Sequence, residues 1–286
     1  MIRCNKECSL SKTLFSQQEL DFAKNQFPNY DVVTAEKIKH KDYGTKIIDS
    51  RAIIYSPVGN QVDFWDVSGE QISIPKIAII GFSTSLKAME DFYKNSQKMD
   101  IDIACKISAF GGALQLRKHL KLVAKFLNFE KYLGKDFKSE KMFESYQKDI
   151  FYTQIIKCCS LGKIDKFSKS TAIYPNKIVD KNIKSNYLNN SGHRECIEKI
   201  FLNEMRFSKP VPLILIFKPA WDNLKEMGLV SKLNGNIIDW IPHPSNPGND
   251  VIKLLNLENA KDIDKYDCKK SGQQLKKIRE KINDLI

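Results

Sequence analysis

Three short, almost unbroken apolar runs limit most strongly how this chain can fold. They are Lys76-Ile77-Ala78-Ile79-Ile80, Asp149 to Ile156, and Pro212 to Phe217. A strand that is apolar on both sides belongs inside a parallel sheet with helices over both faces. A fourth strand is expected at Asn236 to Ile241, and a shorter one near Arg51 to Pro57. Helical segments separate the runs. Leu86 to Asn95 has Ser85 as N-cap, and Ala113 to Leu127 puts Leu116, Leu120, Val123 and Leu127 on one side. Arg194 to Met205 reads as a further helix, and Pro219 fits the first turn of the next. The expected fold is α/β: a three-layer α/β/α sandwich with a central, mostly parallel four-stranded sheet. Residues 1–286 read as one domain, with a lysine-rich insertion at about 160–192 and a C-terminal helical extension at about 250–286. Ligand loops in such folds leave the C-terminal ends of the strands. The loops after Ile80, Ile156, Phe217 and Ile241 therefore outline a candidate cleft.

Charge narrows the partner. Lysine and arginine total 46 against 34 acidic residues, a net charge of +12. Such an excess favours a polyanion, since counterions released from phosphates drive association. No stretch approaches the roughly 18 apolar residues of a membrane helix. The opening Met1-Ile2-Arg3-Cys4 has no apolar run like a signal peptide. A cytoplasmic, monomeric protein without a membrane partner is expected. Seven cysteines in a chain this large point to reduced thiols or metal ligands rather than disulfides.

Individual residues suggest chemistry. His243 stands at a strand end between Pro242 and Pro244, which would hold an imidazole donor in place. Ser245 and Asn246 beside it could grip a phosphate or a base edge. Gly81, Ser83, Thr84 and Ser85 form a small-residue loop suited to a phosphate, although it lacks a P-loop lysine. The amide of Gln154 can donate and accept in a pair with a base edge, or can simply be an exposed strand residue. Trp65, between Asp63 and Asp66, either stacks on a base or packs in the core. Asp100 and Asp102 precede a glycine turn and are candidate catalytic carboxylates, as are Asp63 and Asp66. His193 and Arg194 either touch phosphate or start a helix. His40 and His119 read as surface or helix residues without chemistry, and Cys105 and Cys268 as ordinary thiols.

The order of these segments resembles the uracil-DNA glycosylase superfamily, nearest its iron–sulfur branch. The resemblance runs from Cys4 to about Asn249. Gly81-Phe82-Ser83-Thr84-Ser85 looks like the first motif, and Phe110-Gly111-Gly112 like the turn before a helix. Tyr152 to Cys158 looks like the strand with the base-reading amide and a cluster cysteine, and Cys196 to Glu204 like the helix opened by another. Pro242-His243-Pro244-Ser245 looks like the second catalytic motif. The resemblance implies a monofunctional DNA glycosylase. Gln154, Phe110 and Trp65 would hold the base, and His243 would donate to it. Cys4, Cys8, Cys158 and Cys196 would hold a 4Fe–4S cluster. The chain departs from the family in four ways. The first motif has no acid, Gln154 replaces an asparagine, Cys4 and Cys8 have three residues between them instead of two, and 37 residues separate Cys158 from Cys196. A rebuilt pocket implies a base other than uracil, such as a modified cytosine in phage DNA. A DNA-binding protein that kept the fold and lost hydrolysis is the alternative.

Overall fold

The expected strands cover one another's polar backbone and leave both apolar faces to helices. The computed structural model describes residues 32–37, 50–55, 58–66, 68–111, 114–161, 194 and 196–286. In chain order the elements begin with β1 (Val32–Lys37), β2 (Ser50–Tyr55) and β3 (Ile77–Ser83). Helices α1 (Leu86–Ser96), α2 (Ile101–Ile107), α3 (Leu114–Phe126) and α4 (Phe129–Leu133) follow, then β4 (Ile150–Ile156) and β5 (Cys158–Leu161). A π-helix (Cys196–Phe201) runs into α5 (Leu202–Glu204), and β6 (Val211–Phe217), α6 (Lys218–Glu226) and β7 (Gly235–Ile241) come next. The C-terminal part holds α7 (Asn249–Leu255), α8 (Ala260–Lys265) and α9 (Lys270–Asn283).

Strands β3, β4, β6 and β7 form a wholly parallel sheet in the order β4-β3-β6-β7. Side-chain alternation divides the core into two layers. Ile77, Ile79, Tyr152, Leu213 and Leu215 face Phe92, Leu120, Val123, Leu254 and Leu275, contributed by α1, α3, α7 and α9. Ala78, Ile80, Phe151, Ile214 and Ile216 face Ile197, Phe201, Ala220 and Leu224, from the π-helix and α6. This is the expected α/β sandwich with helices on both faces of a central four-stranded sheet. Each fully buried Ile or Phe contributes roughly 1.5–3 kcal/mol over an exposed one. A charge introduced into Ile79 or Ile216 would therefore break the fold rather than loosen it.

One feature departs from the expected layout. The chain does not leave the sheet region at Lys157. It enters β5, which pairs antiparallel with β2, and β2 with β1, in a second, three-stranded sheet. The expected strand near Arg51 is thus real but belongs to this second sheet. Cys158-Cys159-Ser160-Leu161 is only four residues long and lacks an apolar alternation, so nothing local marks it as a strand.

Strand β3 has β4 on one side and β6 on the other. The helix after β3 packs on one face of the sheet and the helix after β6 on the opposite face. The strand order reverses at this point, which is where α/β folds place a ligand crevice.

Candidate active site

The last row of the sheet is Gln154, Gly81, Phe217 and Ile241. Gly81 pairs with Gln154, Ile80 with Ile216, and Phe217 with Ile241. Alternation points these residues to the face that carries Phe110. At Gly81 the backbone itself is the surface. A Cβ there would lie 2.7 Å from Phe110 Cε1 and 2.9 Å from Gln154 Oε1, so only glycine lets the two side chains approach. The ring of Phe110 lies 5.0 Å from that of Phe217, and Phe217 meets His243 edge-on at 5.3 Å. Gln154, Gly81, Phe110, Phe217 and His243 therefore form one continuous wall at the strand ends.

Phe110 is aimed by its backbone. It adopts φ +51°, a left-handed conformation that costs a phenylalanine about 1 kcal/mol or more. Arg117 of α3 holds the turn in this shape. Its guanidinium donates to the carbonyls of Ile107 and Ala109, the latter at 3.0 Å from Nε, and lies over the Phe143 ring. Burial lowers the Arg117 pKa, and the charge of Asp91 opposes that shift. Asp91 Oδ2 stands 3.1 Å from where a Gly111 Cβ would be, so a carboxylate does reach this turn.

Gln154 is 6% exposed, and among the described residues its side-chain amide has no hydrogen-bond partner. Among the described residues the fully buried side-chain atoms without a partner are Trp65 Nε1, Ser139 Oγ and Asn223 Oδ1, so the Gln154 amide keeps enough exposure to be reached by water. An amide at the strand ends that pairs with no protein group among the described residues is free to hydrogen-bond a ligand.

His243 is half-buried, and desolvation lowers its pKa below the ordinary imidazole value. Its Nδ1 accepts from the Ser245 backbone N–H at 3.3 Å and lies 2.6 Å from Ser245 Oγ. An N–H can only donate, so Nδ1 is bare and the ring proton sits on Nε2. The result is a neutral imidazole with one N–H donor, a group suited to stabilising negative charge as it grows on an oxygen or nitrogen.

No family model, curated protein or solved structure matches the chain. The site rests on its own geometry.

Other candidates take different places. Ser83 ends β3 on the Gly81 side, while Thr84 is buried at 1% exposure, too deep to meet a phosphate directly. Ser85 caps α1, accepting from the Ala88 N–H, and donates to the Gly111 carbonyl. Gly81 itself lies within β3, not in a phosphate loop. Ser245 and Asn246 are exposed beside His243. Asp100 and Asp102 do not join the wall. Strand β3 hands over to α1 at Ser85, and that eleven-residue helix travels about 16 Å before α2 begins. There Asp100 caps α2 by accepting from the Asp102 and Ile103 N–H groups. Trp65 stacks on Phe207 at 5.2 Å within the opposite core layer, and Asp63 pairs with Lys106 at 2.8 Å. Asp66 closes a turn, and the hydrogen bond from the Ser68 hydroxyl is the largest cause of its lowered pKa.

Behind the wall, on the other face of β4, lies a second polar group of residues. Thr153 donates to Glu204 at 2.9 Å, and Lys157 Nζ contacts both Thr153 Oγ1 and Glu204 Oε2. The Lys157 backbone N–H donates to Cys196 Sγ at 3.4 Å. The residue that precedes Cys158 is thereby joined to the Cys196 thiol. Cys4 and Cys8 lie outside the described residues. Among the described residues no three His, Cys, Asp or Glu side chains gather as a metal site.

Two contributors, Phe217 and Asp91, were not singled out in the sequence, and a third, His119, was expected to be a surface or helix residue without chemistry but is buried on α3. His119, Phe217 and Asp91 all sit in helices or strands with ordinary patterns. His119 did carry a signal: it falls three residues after Leu116 and four before Val123, on the apolar stripe of α3.

Proposed function

We propose that this chain is a monofunctional DNA glycosylase that hydrolyses the N-glycosidic bond of a modified or damaged base. The observation that carries this reading is the unpartnered Gln154 amide, sharing one wall with Phe110, Phe217 and the neutral His243. A nucleotide extruded from DNA would enter the crevice, at a cost of a few kcal/mol for unstacking. The Gln154 amide pairs with the edge of the base, and the aromatic rings cover its apolar part. As the C1′–N bond breaks, the bonding electrons move onto the base, and His243 Nε2–H donates to the charge that develops there. Water adds to C1′ and releases a proton to solvent, leaving an abasic site. The basic excess of the chain supports a DNA backbone as partner.

A longer amide than the family's asparagine shifts the reading plane by one methylene, which favours a base other than uracil. A modified cytosine of phage DNA is the class proposed. The Cys158 segment and the Cys196 thiol lie together, which suits two of four ligands of an iron–sulfur cluster, with Cys4 and Cys8 as the others. Such a cluster would be structural, tying the β5 segment to the π-helix. Protein purified without air would then be brown and would contain iron.

A second reading has its own support. Asp63 and Asp100 are committed to structural partners, and Asp66 to a turn. A protein that binds DNA without hydrolysis would look the same. Incubation with DNA bearing uracil, hypoxanthine or modified cytosines decides between the two. Abasic sites from any of them support the enzyme. Salt-sensitive DNA binding with no abasic product from the whole panel would leave the binding protein.

A further inference from the structure

The hydrogen bonds around His243 lead through one peptide plane to a second histidine. His119, on α3 and 8% exposed, places Nδ1 2.7 Å from the Pro244 carbonyl oxygen. A carbonyl only accepts, so His119 carries its proton on Nδ1. The same peptide bond continues to the Ser245 nitrogen, whose N–H donates to His243 Nδ1. The sequence of groups is His119 Nδ1–H, Pro244 carbonyl, Ser245 N–H, His243 Nδ1. Donation to a carbonyl draws electrons from the peptide nitrogen and makes its N–H a better donor, so the two bonds strengthen one another.

We propose that His119 is a positioning residue that acts through the Pro244–Ser245 peptide to hold His243 with its proton on Nε2 and that proton directed into the crevice. The value of this arrangement to a departing base rests on the glycosylase reading. The relay itself does not, because it exists in the protein without substrate. An apolar residue at 119 would pack equally well in the α3 stripe beside Leu116 and Val123. Among the described residues His119 is the donor to the Pro244 carbonyl. The flanking Pro242 and Pro244 restrict the loop's backbone, and Phe217 bounds the imidazole on one side.

The test uses the full chain with nitrogen-15-labelled histidine, without DNA. In the wild type, the imidazole shifts should report a proton on Nδ1 for His119 and on Nε2 for His243. His119→Leu should weaken the bond from the Ser245 amide to His243 Nδ1, speeding that amide's hydrogen exchange by about tenfold. It should also shift the His243 imidazole nitrogen-15 signals away from the pure Nε2–H pattern of the wild type. His119→Asn, whose amide N–H stands close to the lost Nδ1–H, should restore both signals. A bare Nδ1 on wild-type His119 overturns the relay. So does a folded leucine variant with unchanged Ser245 and His243 signals, or a folded asparagine variant that lacks them. Should the leucine variant not fold, the wild-type shifts and the asparagine variant decide. Intact relay signals in a protein that cleaves no DNA would remove the glycosylase reading and leave the relay standing.

Discussion

Thr153 and Gln154 are neighbours on one strand, yet they serve opposite ends. Thr153 points into a closed set: it is hydrogen-bonded with Lys157 and Glu204, which form an ion pair at side-chain exposures of 7% for the lysine and 10% for the glutamate. Gln154 points to the other face and is left without a partner among the described residues. One polar group is spent on holding the fold and the other is withheld from it. The comparison separates residues whose loss should unfold the protein from residues whose loss should silence it.

The largest effect should come from the closed side. Lys157→Met leaves the Glu204 carboxylate buried without its cation, which costs about 3–5 kcal/mol. Denaturant titration should show that loss, and the double variant with Glu204→Leu should recover most of it, since two apolar residues replace the pair. A double variant as unstable as the single one would contradict the view that the pair is self-contained. The open side should behave in reverse. His243→Ala should lower excision by about 100- to 1,000-fold, the scale of removing one donor from a developing charge. DNA affinity and unfolding midpoint should stay near wild type. Equal losses in binding and excision would make His243 a structural residue. A smaller effect is expected at Gln154. Gln154→Leu removes an unpaired amide, so stability should hold or rise slightly, while excision falls by about 1–3 kcal/mol of base recognition. A stability loss larger than the activity loss would show that the amide serves the fold.

The closed side was harder to read in the sequence than the open one. Continuous apolar runs announced β3, β4 and β6, because burial on two faces removes polar residues from both. The prolines around His243 and the position of Gln154 near a strand end were visible for the same local reason. Lys157 and Glu204 stand 47 positions apart and meet only once the π-helix docks on β4. No local pattern encodes such a pairing. Asp100 stands before a turn, a place that suits an N-cap and a catalytic acid alike, and in the structure it caps α2. Trp65 was balanced between stacking and packing, and the Phe207 ring takes it for the core. His119 was passed over since one polar residue on an apolar stripe does not say what it will donate to.

The smallest expected effect tests the burial of His243 directly. Desolvation holds its folded-state pKa below 6.5, so the unfolded chain takes up a proton at a pH where the folded protein still resists it. Between those two values the unfolded state binds more protons, and stability falls as pH falls. Above about 6.5 the contribution is complete, and it is lost progressively down to the folded pKa. Three other histidines share the chain, so the informative quantity is the difference between wild type and His243→Asn. The variant should show a shallower loss of unfolding free energy from neutral to mildly acidic pH. Parallel curves would mean that His243 titrates as a solvated imidazole, and the wall of rings would then give it no shelter from which to act.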